Sequence, residues 1–160
     1  MIRIEEARPK HVQPIVEQWK ALMEIHKEMD AEFFEDTDLW IEEYETTISE
    51  TIEVAFTDRK VYVALDNEVV VGYATIYIER FAMPLYNSEP LCVIGDMMIE
   101  EQYRKQGIGE LFIEEAKKMA KEFSVKKLML NVFAKNQIAY GYFKQQDFED
   151  TMYRMTKTID

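Results

Sequence analysis

Residues 96–109, which read DMMIEEQYRKQGIG, hold the groups in this chain that are best suited to binding an anion. An apolar strand ends at Ile99, and a short basic loop leads through Gly107 and Gly109 into a helix. Glycine has no Cβ, so backbone N–H groups can approach a ligand closely, and a helix N-terminus adds unpaired N–H donors and a positive dipole end. The pattern therefore predicts a cradle for a pyrophosphate group.

Two common phosphate-binding motifs do not fit this loop. A P-loop would continue into Lys and Ser or Thr, where this chain has Glu110 and Leu111. A dinucleotide-binding fingerprint needs a third glycine, where Phe112 stands. The remaining pattern, R-x-x-G-x-G at residues 104–109, resembles the acetyl-CoA loop of the GNAT superfamily of N-acetyltransferases.

A second segment carries the same resemblance. Residues 136–139, followed by Phe143 and Phe148, are similar to the helix that begins with an asparagine in that superfamily, and Met97 and Ile99 match the hydrophobic pair that ends its central strand. Two motifs at the expected separation are a specific signal, whereas either one alone would be weak.

The resemblance implies an enzyme that moves the acetyl group of acetyl-CoA to a primary amine of a small molecule or peptide by direct attack. It places the pyrophosphate at residues 106–110, and it assigns the oxyanion to backbone amides near Met98 and Ile99. Asn136 can contact the pantetheine arm or only cap its helix. The implied acetyl-CoA contacts are Met97, Met98, Ile99, Arg104, Lys105, Gln106, Gly107, Ile108, Gly109, Glu110, Asn136 and Phe143.

Such a reaction also needs a proton acceptor, because an alkylammonium with a pKa of about 10.4 must lose a proton before it attacks. Asp96 is the first candidate. Strict alternation from Cys92 through Ile94 places its carboxylate on an otherwise apolar face, where burial would raise its pKa. A β-bulge at Gly95 would change its direction, and a purely structural role in that bulge is the alternative.

The leaving thiolate gains from a proton donor, which is commonly a tyrosine in this superfamily. The corresponding position here is Phe143, which has no proton to give. Tyr142 and Tyr140 are the candidate catalytic donors, although helix neighbours point about 100° apart and both rings can simply pack. Water can also protonate the thiolate, or the protein can bind acetyl-CoA as a sensor or partner-binding module with little turnover.

The composition limits the other classes of function. A formal net charge of −12 argues against nucleic acid and is compatible with a cationic amine acceptor. One cysteine and two histidines are poor material for a metal site. Residues 81–90, which contain two prolines, predict a loop that can form one wall of the acceptor site. Candidate acceptor ligands, with a solvated loop as the alternative, are Asp30, Glu32, Glu35, Asp36 and Asp38.

The chain lacks the roughly eighteen uninterrupted apolar residues of a membrane helix, and its N-terminus lacks the apolar core of a signal peptide. We therefore expect a cytoplasmic protein without membrane association. Many superfamily relatives form dimers, and exposed strand edges are compatible with a homodimer.

Hydrophobic patterning predicts one domain over residues 1–160, of mixed α/β class, in which helices flank a partly antiparallel and partly parallel sheet. Strands are predicted at 2–6, 61–65, 69–79, 91–99, 127–133 and 152–159, with a turn at Asp66 and Asn67. Helices are predicted from Pro9, at 39–52, after Gly107 and at 137–146. The helix after Gly107 is predicted to bury Ile108, Leu111, Phe112, Ala116, Met119, Ala120 and Phe123.

Overall fold

A computed structural model of the protein describes residues 1–34, 36–80 and 89–159. Short 3₁₀ turns precede the first three helices. No helix in these ranges is long and apolar enough to cross a membrane. In chain order the elements are β1 (Ile2–Glu6), α1 (Val12–Met29), α2 (Ile41–Val54), β2 (Arg59–Asp66), β3 (Val69–Glu79), β4 (Leu91–Ile99), α3 (Ile108–Glu122), β5 (Leu128–Leu130) and α4 (Gln137–Gln145).

The strands form one sheet in the order β1-β2-β3-β4-β5. Neighbours from β1 to β4 are antiparallel, whereas β5 runs parallel to β4. This arrangement confirms the predicted mixed α/β class, because the hairpin series gives the antiparallel part and the crossover through α3 gives the parallel part.

Helices cover both faces of the sheet. On one face, Ile15 and Trp19 of α1 pack in one cluster with Tyr73 of β3, and α2 completes that layer. On the other face, Ala116 of α3 packs with Cys92 of β4. The two layers place the middle of β4, which carries Asp96, between α1 and α3.

The buried face of α3 differs from the prediction at Leu111 and at Ile113. Leu111 is 42% exposed, whereas Ile113, which the pattern did not include, is 3% exposed. The sheet lies against the stripe that contains Phe112, Ala116 and Ile113, and this stripe turns Leu111 toward solvent because helix neighbours point about 100° apart.

The turn between β2 and β3 lies one residue later than predicted. Asn67 and Glu68 both have positive φ, at 48° and 76°, while Asp66 is still the last residue of β2. A two-residue hairpin of this kind needs left-handed backbone at both central positions, since that twist matches the strands beside it.

The predicted strand at 152–159 was wrong. These residues adopt no strand, and all of 151–159 are exposed. The strand predicted at 127–133 is only Leu128–Leu130, and its three residues pair with β4. Because β5 has only three residues, it offers few backbone groups with which a further strand could pair. The alternating pattern of residues 152–159 did not form a strand without such a partner.

Candidate active site

A β-bulge in β4 positions Asp96. Gly95 and Asp96 together lie opposite Thr75 of β3, where the register of the two strands shifts by one residue. The Asp96 N–H donates to Thr75 Oγ1 at 2.8 Å. A Cβ on Gly95 would lie 2.6 Å from the same hydroxyl oxygen, so the bulge requires a residue without a side chain.

The bulge puts the Asp96 carboxylate on the opposite face from the one that alternation predicts. Cys92 and Ile94 pack with α3, whereas Asp96 contacts Tyr44 of α2 on the other side of the sheet. Alternation fails here because one inserted residue reverses the side-chain period of the strand. The sequence analysis allowed for the bulge, but it did not reveal Tyr44 as the partner of Asp96.

A short chain of hydroxyl groups holds Asp96. Tyr44 Oη lies 2.8 Å from Asp96 Oδ2 and 3.1 Å from Tyr73 Oη. Tyr44 has one proton, which bonds more strongly to a carboxylate than to a phenol, so Tyr73 donates to Tyr44 and Tyr44 donates to Asp96. The ring of Trp19 stacks on that of Tyr44, with centroids 4.2 Å apart and planes within 10°.

Burial of Asp96 raises the pKa of its carboxyl group, and the hydrogen bond from Tyr44 opposes that shift. Burial also raises the pKa of Tyr44 and of Tyr73. Both phenols consequently stay protonated at neutral pH. A carboxylate with a raised pKa in a fixed orientation is suited to accepting a proton.

Sequence reasoning missed Tyr44, Tyr73 and Trp19 as site residues. They lie on α2, β3 and α1, between 23 and 77 positions from Asp96 in the chain. In the sequence, Trp19 is recognisable only as one of the apolar residues at helical spacing, which predict the buried face of a helix. Nothing in local spacing connects residues that meet only through tertiary packing.

β4 and β5 pair only over Cys92–Ile94 on β4 and Leu128–Leu130 on β5. β5 ends there, while β4 continues through the bulge to Ile99. No described strand pairs with this side of β4 after Ile94. The strands therefore part at the bulge, directly beside Asp96.

The backbone direction along this opening follows from one hydrogen bond. The Glu100 N–H donates to the Val71 carbonyl of β3 at 3.0 Å. Backbone groups alternate between the two sides of an antiparallel strand, so Met98 also points toward β3 and Met97 and Ile99 point into the opening. The N–H of Met98, which the resemblance includes among the oxyanion donors, therefore faces β3, whereas the N–H groups of Met97 and Ile99 face the opening.

The loop before α3 has the backbone of an anion cradle. Gly107, the N-cap of α3, has φ 82°, and Lys105 has φ 60°. Left-handed residues in such a turn direct successive N–H groups into one concavity. The Arg104 Nε–H donates to the Ile99 carbonyl at 3.0 Å and so ties the loop to the end of β4.

Tyr142 of α4 reaches the same helix terminus. A Cβ on Gly109 would lie 2.3 Å from Tyr142 Oη, so the glycine leaves the space that the hydroxyl occupies. That buried hydroxyl has no hydrogen-bond partner among the described residues. Burial and nearby Glu110 raise the pKa of Tyr142 to about 12. Buried hydroxyl groups are usually hydrogen-bonded, so this one is available to an acceptor atom.

The other predicted residues of α4 have structural partners. Asn136 Oδ1 accepts from the Ala139 N–H at 3.1 Å and caps the helix. Phe143 packs edge-on against Phe148, and the Tyr140 hydroxyl donates to Asp150 Oδ2 at 2.9 Å. Of the two candidate tyrosines, Tyr142 lies against Gly109 in the first turn of α3, whereas the Tyr140 hydroxyl is engaged by Asp150.

Three further residues, in the loop and in the first turn of α3, were predicted to contact the ligand. The Gln106 side chain donates to the Gln102 carbonyl at 2.9 Å, and Glu110 accepts from Gln146 at 3.3 Å. The Ile108 side chain is 1% exposed in the core. Ile108 can therefore meet a ligand only through its backbone.

Three of the five candidate acceptor carboxylates already have partners. Asp30 pairs with Lys135 at 2.9 Å and Asp38 with Lys20 at 3.5 Å. Asp36 accepts from the Asp38 N–H at 3.2 Å. Glu32 is exposed, and Glu35 and residues 81–88 lie outside the described residues. Within the described ranges no three His, Cys, Asp or Glu side chains form a group that can hold a metal ion.

An apolar cleft of about 380 Å³ opens beside Trp19. Its walls come from α1 and from the segment that leads into α2. Four of the six described lining residues are aromatic, and the hydroxyl of Thr37 supplies one polar group. The lining residues are Trp19, Met23, Phe33, Phe34, Thr37 and Trp40.

Residues 19–148 match the acetyltransferase (GNAT) family, and this span includes the bulge, the glycine loop and Tyr142. The chain belongs to the GNAT family. No curated protein sequence is significantly similar to this GNAT protein.

Solved structures confirm its fold. A tetramutant of the BH1408 protein from Bacillus halodurans has a TM-score of 0.85 at 19% identity, over 98% of this chain and 99% of that one. A predicted acetyltransferase from Clostridium acetobutylicum, solved with acetyl-CoA, has a TM-score of 0.72 at 18% identity over 99% and 96%. AAC(6')-Iy in complex with the bisubstrate analog CoA-S-monomethyl-acetylneamine has a TM-score of 0.68 at 14% identity over 100% and 99%.

Proposed function

We propose that this GNAT protein transfers the acetyl group of acetyl-CoA to a primary amine of a small molecule or peptide by direct attack. The observation that carries the proposal is the position of Asp96. Its carboxylate, held by Tyr44, lies at the bulge where β4 and β5 part. A proton acceptor thereby adjoins an opening whose edge offers backbone N–H groups.

The residues along the opening fit acetyl-CoA. The left-handed backbone at Lys105 and Gly107 suits a pyrophosphate, and the orphaned hydroxyl of Tyr142 suits an acceptor atom beside it. The amides of Met97 and Ile99 face the opening that the pantetheine arm would occupy. Two of the proteins with a similar fold were solved with acetyl-CoA or with a CoA-containing analog, which supports the assignment.

Bound acetyl-CoA supplies an acetyl group that is activated as a thioester. The Asp96 carboxylate accepts the proton of the acceptor ammonium on Oδ1, because Tyr44 holds Oδ2. The N–H groups of Met97 and Ile99 donate to the oxygen that gains charge. Tyr142, with a pKa of about 12, keeps its proton at neutral pH and donates at the pyrophosphate end beside Gly109. The second proton that the attacking nitrogen loses therefore passes through water to the departing sulfur.

Release of free CoA thiol tests this function. The purified protein is incubated with acetyl-CoA and a panel of monoamines, polyamines, aminoglycosides and basic peptides, and the affinity for acetyl-CoA is measured separately by calorimetry. Turnover with one amine class, and a matching acetylated product by mass spectrometry, is the expected result. Binding of acetyl-CoA without turnover would instead favour a sensor or partner-binding module, as the missing hydroxyl at Phe143 suggests.

A further inference from the structure

We propose that the acceptor is a primary amine on an apolar, preferentially aromatic, body, and that this body binds in the cleft beside Trp19. This inference rests on the proposed acetyl transfer and specifies its substrate class. The cleft is lined by Trp19, Met23, Phe33, Phe34, Thr37 and Trp40.

The chemistry of the walls favours an apolar occupant. Four of the lining residues are aromatic and one is methionine. The hydroxyl of Thr37, the remaining member, lies 3.4 Å from Glu24 Oε1 and is engaged there. The cleft volume of about 380 Å³ lies in the range of about 300–1,000 Å³ that is typical of small-molecule sites.

Large aromatic surface is left exposed at this place. Phe33 is 53% exposed and Trp40 is 45% exposed. Clustered exposed aromatic side chains on a folded domain usually mark a binding site, because leaving them in water costs free energy. The apolar body of an amine would cover them.

Side-chain contacts connect the wall of the cleft to the proposed proton acceptor. The Trp19 ring lines the cleft and stacks on Tyr44, with centroids 4.2 Å apart. The Tyr44 hydroxyl in turn lies 2.8 Å from Asp96. Two contacts therefore join the apolar wall to the carboxylate that takes the proton of the amine. An amine whose nitrogen approaches Asp96 can extend its body over Trp19.

The back of the cleft is built by packed rings. Phe33 and Phe34 contact each other, and both contact Phe133 from the segment after β5, with centroid distances of 5.3, 5.4 and 4.5 Å. His26 stacks on Phe34, and burial lowers the pKa of His26, which keeps that ring uncharged at neutral pH. The wall is therefore preorganised and carries no positive charge that would repel an amine.

A polyamine or aminoglycoside fits this surface less well. Such ligands need several available carboxylates, but Asp38 and Asp30 are paired with Lys20 and Lys135, and Asp36 accepts a backbone hydrogen bond. None of these carboxylates lines the cleft. A single ammonium group needs only one carboxylate, which Asp96 supplies.

Intrinsic fluorescence reports directly on the cleft, because the chain has only two tryptophans, Trp19 and Trp40, and both line it. Phenylethylamine, n-hexylamine and spermidine are titrated into the protein at pH 8, with and without acetyl-CoA. We expect a saturable change with phenylethylamine at a concentration at least tenfold lower than with spermidine, and we expect N-acetylphenylethylamine as the product.

Two matched variants locate the binding. Phe33→Ala removes a cleft wall, and we expect at least a tenfold rise in both the Kd and the KM for phenylethylamine, with the Kd for acetyl-CoA unchanged. Leu39→Ala removes an apolar side chain that is 75% exposed on the same segment but does not line the cleft, and we expect no change. Thermal melts check folding, and Trp40→Ala, with Trp19 as the remaining reporter, provides a second test.

The outcomes separate this inference from the proposed function. Acetylation of spermidine in preference to phenylethylamine, or an unchanged KM for phenylethylamine in both cleft variants, would overturn the inference while acetyl transfer stands. Saturable binding of phenylethylamine without its acetylation, in a protein that acetylates another amine, would also overturn it. Absence of transfer to every amine despite bound acetyl-CoA would instead contradict the proposed function.

Discussion

The hydroxyl of Tyr44 donates to Asp96 Oδ2 over 2.8 Å, and this bond joins α2 to the bulge in β4. It holds one carboxylate oxygen, Oδ2, in place and leaves Oδ1 without a hydrogen bond from Tyr44. The Tyr73 hydroxyl donates in turn to the Tyr44 hydroxyl, so two linked phenol groups set the orientation of the Asp96 carboxylate. The arrangement predicts that Tyr44 controls the pH at which Asp96 can work.

Replacement Tyr44→Phe should move the acidic limb of the pH profile of kcat/KM to higher pH. The hydrogen bond from Tyr44 lowers the pKa of Asp96, so its loss raises that pKa, and the protonated carboxyl can no longer accept a proton. We expect about a tenfold lower kcat/KM at neutral pH, the scale of one hydrogen bond to a charged group. Tyr62→Phe, on the face covered by α3, is the control and should leave the limb in place.

The two glycines Gly95 and Gly141 should respond to alanine with opposite signs. Gly95→Ala places a Cβ 2.6 Å from Thr75 Oγ1, and we expect the free energy of unfolding to fall by about 1–3 kcal/mol. Gly141 lies inside α4 with nothing within 4 Å of an added Cβ, so Gly141→Ala should raise it by about 0.5–1 kcal/mol. Urea unfolding measures both, and equal effects would refute the close packing of the bulge.

Tyr142→Phe should stabilise the free protein and weaken its binding of acetyl-CoA. The hydroxyl is buried without a described partner, so its removal should raise the free energy of unfolding by about 1 kcal/mol. The same removal deletes the donor beside Gly109. Urea unfolding measures the change in stability, and calorimetric titration measures the change in affinity for acetyl-CoA. A loss of stability would show that the hydroxyl already has a hydrogen-bond partner.

Stability should fall as the pH decreases from 7.5 to 5.5. Burial lowers the pKa of His26 in the folded state, so the neutral ring is favoured on folding. That contribution is present above the unfolded-state pKa of about 6.5 and is lost as protons bind below it. His26→Phe keeps the ring stack and should flatten the pH dependence of Tm. An unchanged slope would assign the effect to His11, whose pKa is lowered by the same cause.

Local patterns predicted much of the fold. Residues 2–6 and 91–99 were predicted as strands with the bounds that the structure shows, and Asn136 begins α4 as its cap. Each of these signals arises within a few residues of the chain. The helix predicted at 39–52 is α2 at Ile41–Val54, displaced because a 3₁₀ turn at Thr37–Leu39 precedes it.

The errors have a common physical cause. The direction of Asp96 depends on one extra residue opposite Thr75, and the strand predicted at 152–159 depends on a partner edge. Both are decided by pairing between distant segments. Alternation of side chains cannot report such pairing.

The site was predictable only in part for the same reason. The glycine loop is contiguous in sequence, and its left-handed Gly107 agrees with the cradle that the motif predicts. Tyr44 and Trp19, which fix the carboxylate and line the cleft, come from helices far along the chain. Their roles required the tertiary structure.

The most direct test of the account compares the wild-type protein with Asp96→Asn in the CoA-thiol assay on an accepted amine. Asparagine keeps the size of the side chain and an oxygen for Tyr44, but it cannot take a proton. We predict a loss of at least 100-fold in kcat, with the affinity for acetyl-CoA unchanged and a Tm equal to or above that of wild type, since a buried charge is removed. A variant that turns over at the wild-type rate would contradict the assignment of Asp96 as the proton acceptor.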